Sequence, residues 1–272
     1  HFTLGVEHAR QERYQDAAQE FSLALDMASH STDHDAIRKA IVRHFYKSND
    51  LFERVTALRP GDINLWRDRG FCLAEDGHWK EAADSYRKRL ELGPDGAGCW
   101  AAYAFSLLAC DDVDAYRDVC AEMLEVFSGV PYPNEKAIAA WTLAAIPDAV
   151  EDKHGALAMA EAAYKHDSAN FLEEREDAMW LYRTDQLEQA VSVIDELPPG
   201  ECDPNSYTGG ITAFAAMAHW RLGHSEEAGR WADQADVWAA WRESLNERVT
   251  DANRWSQVVG ERLIEEMEDV MN

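Results

Sequence analysis

The chain has 272 residues, of which 46% are hydrophobic and ten are tryptophan, so it can build a large core and is not a disordered chain. Its 26 basic and 51 acidic side chains give a net charge of −25, which disfavours binding to nucleic acid and to anionic membranes. No apolar run is long enough to span a bilayer, and the five cysteines form no CxxC pair.

These features favour a cytoplasmic protein in a reducing compartment. Val, Ile and Thr are sparse while Ala and Leu are abundant, and alternating apolar runs typical of strands are missing, so the sequence predicts an all-α fold. The chain begins at His1, and the residues from Phe2 onward already resemble the interior of a helix. We therefore expect it to be a piece of a longer protein.

The first 60 residues predict two pairs of helices. In residues 1–29, Gly5 lies on the first helix and Ala17 and Phe21 share a face of the second. Residues 31–60 form two amphipathic helices that end at Pro60, but no small residue marks the point where these two helices would cross. We predict the helices of this second pair without a register.

Residues 62–96 form the clearest pair. Asp62 can serve as the N-cap of its first helix, because a carboxylate there accepts from open backbone N–H groups. Trp66 and Gly70 then fall on one helical face, and Gly77 breaks the helix before His78. A small residue such as Gly70 lets two helix backbones approach closely, so we predict a helix crossing at this position.

The second helix of this pair places Ala82 and Tyr86 on one face, and Pro94 follows its end. The pair resembles a tetratricopeptide repeat (TPR), which has a period of about 34 residues. The positions that match the TPR pattern are Trp66, Gly70, Ala82, Tyr86 and Pro94, whereas Arg69 stands where leucine is usual.

The pattern continues along the chain, with Ala104 standing 34 residues after Gly70. Because one helix pair cannot bury its own apolar face, neighbouring pairs are expected to stack. We predict a TPR-like, right-handed superhelical solenoid over residues 1–250 and a capping helix over 251–272. The expected repeats are 1–29, 31–60, 62–96, 98–128, 134–168, 170–198 and 206–241.

A longer series of segments is similar to the C-terminal TPR regions of large bacterial, planctomycete-type serine/threonine protein kinases. It covers roughly residues 51–240 and includes RPGDINLWRDRG, DAYRDVCAEMLEVF, AAWTLAAIPDAVEDKHG, LYRTDQLEQAV and AMAHWRLGHSEEAGRW. The resemblance implies a regulatory or partner-binding region of a larger signalling protein. The sequence has no glycine-rich phosphate loop, HRD or DFG motif, so no kinase active site is carried over.

No residues nominate a catalytic or cofactor site. His30, Asp33 and His34 could ligate a metal, but no further ligands cluster with them in the sequence, and a polar loop between helices is the favoured interpretation. The glycines of GPDGAG do not follow a strand, as a nucleotide-binding loop would require. Glu173, Glu174 and Glu176 are typical of a solvated helix face. We predict a protein that is not an enzyme and has no cofactor.

The TPR resemblance implies that the first helix of each pair lines a concave groove. Large apolar side chains on these helices either anchor a partner or pack as core, and the sequence leaves both alternatives open. The predicted groove residues are Arg67, Phe71, Glu75, Phe105, Leu108, Trp141, Arg175, Met179, Tyr182, Met217 and Trp220, interspersed with Ala101, Ala137, Ala144 and Ala213.

The predicted function is a protein-interaction scaffold that binds a peptide or protein segment in this groove. The strong acidity favours a basic partner, because such a field attracts cations, although solubility alone would also explain the charge. The alternative is a non-catalytic part of a kinase or protease whose catalytic domain lies outside this chain.

Overall fold

The computed structural model describes residues 1–30, 34–164, 178–196, 208–244 and 251–272, and every regular element in those ranges is a helix. The all-α prediction is therefore confirmed. The helices are α1 (Phe2–Arg10), α2 (Tyr14–Ala28), α3 (His34–Val42), α4 (Asn49–Leu58), α5 (Asn64–Glu75), α6 (Trp79–Leu92), α7 (Ala97–Ala109), α8 (Val113–Ser128), α9 (Pro133–Ala144), α10 (Lys153–Tyr164), α11 (178–183), α12 (Leu187–Glu196), α13 (Thr208–Arg221), α14 (Ser225–Ser244) and α15 (Asp251–Met271). None of the described helices is both long and apolar enough to cross a membrane.

The helices form two compact units, His1–Pro94 (unit 1) and Asp95–Asn272 (unit 2). Most consecutive helices pair, as α1 does with α2, α5 with α6 and α7 with α8, whereas α3 packs mainly on α2 and α5. We call the first helix of a pair the A helix and the second the B helix. A helices pack on the next A helix (α3 on α5, α7 on α9), and B helices pack on the next B helix (α2 on α4, α8 on α10). This is the stacking of helix pairs that the repeat pattern predicted.

Glycine permits the close crossing of A and B helices at two of the predicted places. A Cβ added to Gly70 would lie 3.0 Å from the ring of Tyr86, and one added to Gly5 would lie 3.1 Å from the ring of Phe21. Ala104, the predicted equivalent in α7, is fully buried. The predicted register is therefore confirmed for the pairs that contain Gly5 and Gly70.

Five of the turns between A and B helices have the same backbone conformation and hydrogen bond. A residue with positive φ follows the A helix, and the next N–H donates to a carbonyl five residues back, as from His78 to Leu73 (2.8 Å) and from Asp112 to Leu107 (3.0 Å). This hydrogen bond closes a Schellman-type C-cap. The positive-φ residues in turns with this bond are Glu12, Gly77, Asp111, Asp185 and Gly223.

The predicted capping role of Asp62 is wrong. Helix α5 begins at Asn64 after Ile63, and no side chain caps it. The Asp62 carboxylate instead accepts hydrogen bonds from Arg38 (2.8 and 2.9 Å) and Arg59 (3.1 Å). Both guanidinium groups carry a full positive charge, and Arg38 binds both oxygens of the carboxylate, which a single backbone N–H cannot do, so the carboxylate turns toward them.

The net charge is distributed very unevenly between the two units. Unit 1 has 14 Lys and Arg against 16 Asp and Glu, whereas unit 2 has 12 against 35. The net charges are therefore −2 and −23. Any effect of the acidic field on partner choice belongs to unit 2.

Candidate binding faces on the A helices

In unit 1, side chains of α3 and α5 meet in a regular ladder of three contacts. The Arg67 guanidinium lies 3.8 Å from the Asp35 carboxylate, and the Arg43 guanidinium pairs with Glu75. Between these two pairs, the Lys39 ammonium lies 3.8 Å from the centroid of the Phe71 ring, which is a cation–π contact. The contacts recur every four residues along both segments, as one face of an α-helix requires. Arg43 follows the last residue of α3 and still donates its N–H to the carbonyl of Lys39, so it continues the face of that helix. We call this set the α3–α5 face: Asp35, Lys39, Arg43, Arg67, Phe71 and Glu75.

The α3–α5 face is accessible to solvent. Asp35 and Arg43 are exposed, the Arg67 side chain is 35% exposed, and Phe71 is half-buried. Three of the predicted groove residues, Arg67, Phe71 and Glu75, are therefore brought together here. Their partners on α3 and directly after it were not predicted, because the second helix pair was predicted without a register.

A buried ion network underneath fixes α3 against α5. The Arg38 guanidinium donates to Asp68 (2.9 and 3.1 Å) as well as to Asp62, and the Asp68 side chain is almost completely buried. Burial raises the pKa of Asp68 even though Arg38 opposes the shift. Burial alone would also raise the pKa of Asp62, but hydrogen bonds from Arg38 and Arg59 outweigh it and lower that pKa.

Sequence reasoning missed this network. Asp68 stands three residues after Leu65 and four before Cys72, both of which are buried. A carboxylate on an apolar helical face needs a buried partner of opposite charge or a hydrogen-bond donor. The position of Asp68 on that face was therefore the one sequence feature that could have indicated the network.

In unit 2, most of the predicted groove residues are core. Phe105 is only 1% exposed and packs edge-on against Trp141, with ring centroids 4.7 Å apart. Tyr182 packs in the same manner against Phe214 at 5.4 Å. Adjacent A helices bury these rings between them. Of the two alternatives that the sequence left open, these side chains are core and do not line an open groove. The buried members are Ala101, Phe105, Leu108, Ala137, Ala144, Met179, Tyr182, Ala213 and Met217.

Two predicted groove residues of unit 2 remain accessible: Trp141 is half-buried and Trp220 is 39% exposed. Arg175 lies outside the described residues, as do Asp33 of the histidine motif and the acidic run at 173–176. Within the described ranges, no three His, Cys, Asp or Glu side chains come together in a way that could hold a metal ion.

The last helix, α15, covers part of the A-helix side of unit 2. It packs against α7, α13 and α14, with Val259, Leu263 and Met267 buried on its inner side. The methyl group Cδ1 of Leu263 lies where α13 has glycine, because a Cβ added to Gly210 would be 3.1 Å from it. The sequence predicted a terminal cap but not the return of this helix to α7.

Arg183 of α11 anchors α15 to the helices beneath it. The Arg183 guanidinium forms a bidentate pair with Glu266, and the two side chains are only 6% and 14% exposed. Arg183 also donates twice to the carbonyl of Ala144 at the end of α9 (3.1 and 3.2 Å) and lies 4.7 Å from the Phe214 ring centroid. Such desolvated, charge-assisted bonds fix the orientation of a helix.

A second anchoring arginine, Arg262, belongs to α15 itself. Arg262 donates to the carbonyl of Leu108 (3.1 Å) and pairs with Asp111 at the C-terminal end of α7. A cation there also interacts favourably with the helix dipole. We call the surface that these contacts define the α15 seat: Leu108, Asp111, Ala144, Arg183 and Gly210.

No model of a known protein family matches the chain. A stretch of 84 residues is 31% identical to the peroxisomal targeting signal receptor of Candida albicans (strain SC5314 / ATCC MYA-2876), and it covers 31% of this chain and 14% of that protein. The chain is thus similar to a small part of that receptor.

The crystal structure of a tetratricopeptide repeat protein from Parabacteroides merdae ATCC 43184 is also similar, with a TM-score of 0.49 and 11% sequence identity over 93% of this chain and 96% of that one. The A–B pairing and the glycine crossings described above are those of a stacked helical repeat.

Proposed function

We propose that this chain is a protein-interaction scaffold and that unit 1 binds a protein segment across the α3–α5 face. The observation that carries the proposal is the accessible ladder in which the half-buried Phe71 lies between charged pairs. Aromatic and arginine side chains supply most of the binding energy at protein interfaces, and this face offers both. Stacked helical repeats commonly use such surfaces for binding.

The partner proposed for unit 1 has an apolar side chain flanked by carboxylates. Lys39, Arg43 and Arg67 outnumber Asp35 and Glu75 on the α3–α5 face, and unit 1 as a whole is nearly neutral. The basic partner expected from the total charge therefore suits unit 2 rather than this face. Charge complementarity would mainly set partner choice and association rate, and contact with Phe71 would supply the lasting affinity.

The test compares capture of cytosolic proteins by the full chain and by three variants. Phe71→Ala and Arg67→Ala change the face, whereas Arg87→Ala removes an exposed arginine from α6, the B helix of the same pair. A protein retained by the wild type and by Arg87→Ala but lost with Phe71→Ala is then purified, and its affinity is measured. We expect Phe71→Ala to weaken binding at least about tenfold. Equal affinities for Phe71→Ala and the wild type would refute the proposal.

The resemblance to kinase tails adds a second, separate proposal, that the chain is the regulatory part of a larger signalling enzyme in the cytoplasm. It rests on the sequence segments between residues 51 and 240. The four cysteines in the described ranges are free thiols, which fits a reducing compartment. The complete reading frame tests this proposal, which requires a catalytic domain in the same polypeptide.

A further inference from the structure

The inner side of α15 has the pattern of a helical ligand. Val259, Leu263 and Met267 recur every four residues and are buried, and Glu266 beside them reaches Arg183. An amphipathic helix that lays such a row of apolar anchors into a groove is a common mode of peptide recognition. The α15 seat is thus complementary in shape and charge to one helix of defined chemistry.

The outer, solvent-facing side of α15 carries the same sign of charge as the unit on which the helix packs. Glu261, Glu265, Glu268 and Asp269 are all exposed, and they belong to a unit with a net charge of −23. The Arg262 guanidinium lies 3.4 Å from the Glu265 carboxylate and offsets one of these charges. Mutual repulsion of like charges disfavours the compact arrangement and weakens as salt rises. The inner side of α15 is therefore complementary to the α15 seat. Its outer side is repelled by the negative charge of unit 2.

We infer that the α15 seat is a second, regulated binding site, which α15 occupies until a partner helix displaces it. The partner is an amphipathic helix that reproduces the inner side of α15, with apolar residues every four positions and a glutamate opposite Arg183, but carries basic side chains on its outer side. Connection within one chain gives α15 a high effective concentration, so the partner needs a higher intrinsic affinity to compete. This site is in unit 2, and its test is independent of the one proposed for unit 1.

The test measures binding of two labelled peptides to the full chain. One peptide has the sequence of residues 251–272, and the other carries Glu261→Lys, Glu265→Lys and Glu268→Lys. The full-chain variant Glu266→Gln weakens the seating of α15. Glu268→Gln removes the same charge from the exposed side of the same helix, where the change can only lessen repulsion and seat α15 more firmly, so it serves as the control.

We expect Glu266→Gln to bind the native-sequence peptide at least about tenfold more tightly than the wild type or Glu268→Gln does, because a desolvated charge pair no longer holds the tethered helix. The lysine-substituted peptide should bind each protein more tightly than the native peptide, and added salt should reduce that difference. Equal binding by folded Glu266→Gln and wild type would overturn the inference.

Hydrogen exchange on the wild type decides the matter if Glu266→Gln does not fold. The amides of α15 should exchange through an opening that leaves α7 and α13 protected, since a displaceable helix must open as a separate unit. Exchange of α15 only together with α7 and α13 would overturn the inference. A dimer formed by mutual exchange of α15, detected by light scattering, would also overturn it, because the occupant would then be a second copy.

Discussion

At the scale of single residues, the fold depends on one close approach and one buried charge network. The missing side chain of Gly70 lets the Tyr86 ring lie against α5, and Arg38 satisfies two carboxylates at once. The glycine could be predicted from the repeat pattern. The network could not, because the residues that meet in it are 24 and 30 positions apart and follow no local periodicity.

Gly70→Leu should destabilise unit 1 by about 1–3 kcal/mol, the usual cost of overpacking, because even a Cβ would lie 3.0 Å from Tyr86. The control is Gly229→Ala in α14, where an added Cβ meets nothing within 4 Å. That change should stabilise its helix by roughly 0.5–1 kcal/mol, since glycine is a poor helix former. Thermal unfolding measures both, and an unchanged melting temperature for Gly70→Leu would show that the crossing is misplaced.

Asp62→Asn should reduce the loss of stability on acidification. The pKa of Asp62 is lowered below its usual 3.8, so its stabilising effect is present above that pH and disappears as the pH falls through the lower folded-state pKa. The variant should be less stable than wild type at pH 7 and should lose less between pH 4 and lower values.

The pKa of Asp68 is raised, so protonation of Asp68 favours the folded state as the pH falls through that raised pKa toward 3.8, which is above the range in which Asp62 loses its effect. Melting temperatures at a series of pH values provide the measurement. Asp84→Asn on the exposed side of α6 is the control, and a pH dependence identical to that of Asp62→Asn would contradict the assignment.

At the scale of elements, the same positive-φ turn connects A and B helices in five pairs that have different residues at the turn. Gly77 and Gly223 adopt positive φ without strain, whereas Glu12, Asp111 and Asp185 adopt it with a side chain present. The turn at Gly77 was predicted, because glycine and histidine follow an amphipathic helix there, and the same Gly-His pair recurs at Gly223. The other three were recognisable only by their position in the repeat, since the backbone hydrogen bond rather than residue type defines the turn.

Glu12→Gly and Gly77→Ala should have opposite effects on stability. A left-handed conformation costs an L-residue roughly 1 kcal/mol relative to glycine, so the first change should stabilise the protein and the second destabilise it by that order. Steric contact does not interfere at Gly77, where an added Cβ meets nothing within 4 Å. Denaturant unfolding tests both, and effects of the same sign would contradict the strain argument.

Helix pairs and their stacking were largely predictable, because apolar periodicity is a local property of the sequence. The return of α15 to α7 was not, since Arg262 and Asp111 are 151 residues apart. The choice between groove and core also depends on how closely adjacent A helices pack, which periodicity does not determine. Phe71 and Phe105 occupy equivalent predicted positions, yet one is accessible and the other is buried.

At the scale of the whole molecule, two units of the same helical type have different charge and different A-helix faces. Unit 1 is nearly neutral and presents the accessible α3–α5 face, whereas unit 2 is strongly acidic and carries its own helix on the α15 seat. A scaffold of this kind would bind one partner segment directly and a second only by displacing α15.

The most direct measurement compares Phe71→Ala and Phe105→Ala in melting temperature and in affinity for the partner of unit 1. Phe71→Ala should weaken binding at least about tenfold and change the melting temperature little. Phe105→Ala should destabilise the fold by about 3–5 kcal/mol, as loss of a buried phenylalanine does, and leave the affinity of the folded fraction unchanged. Unchanged affinity for Phe71→Ala, or lost affinity in folded Phe105→Ala, would contradict the assignment of binding to the α3–α5 face.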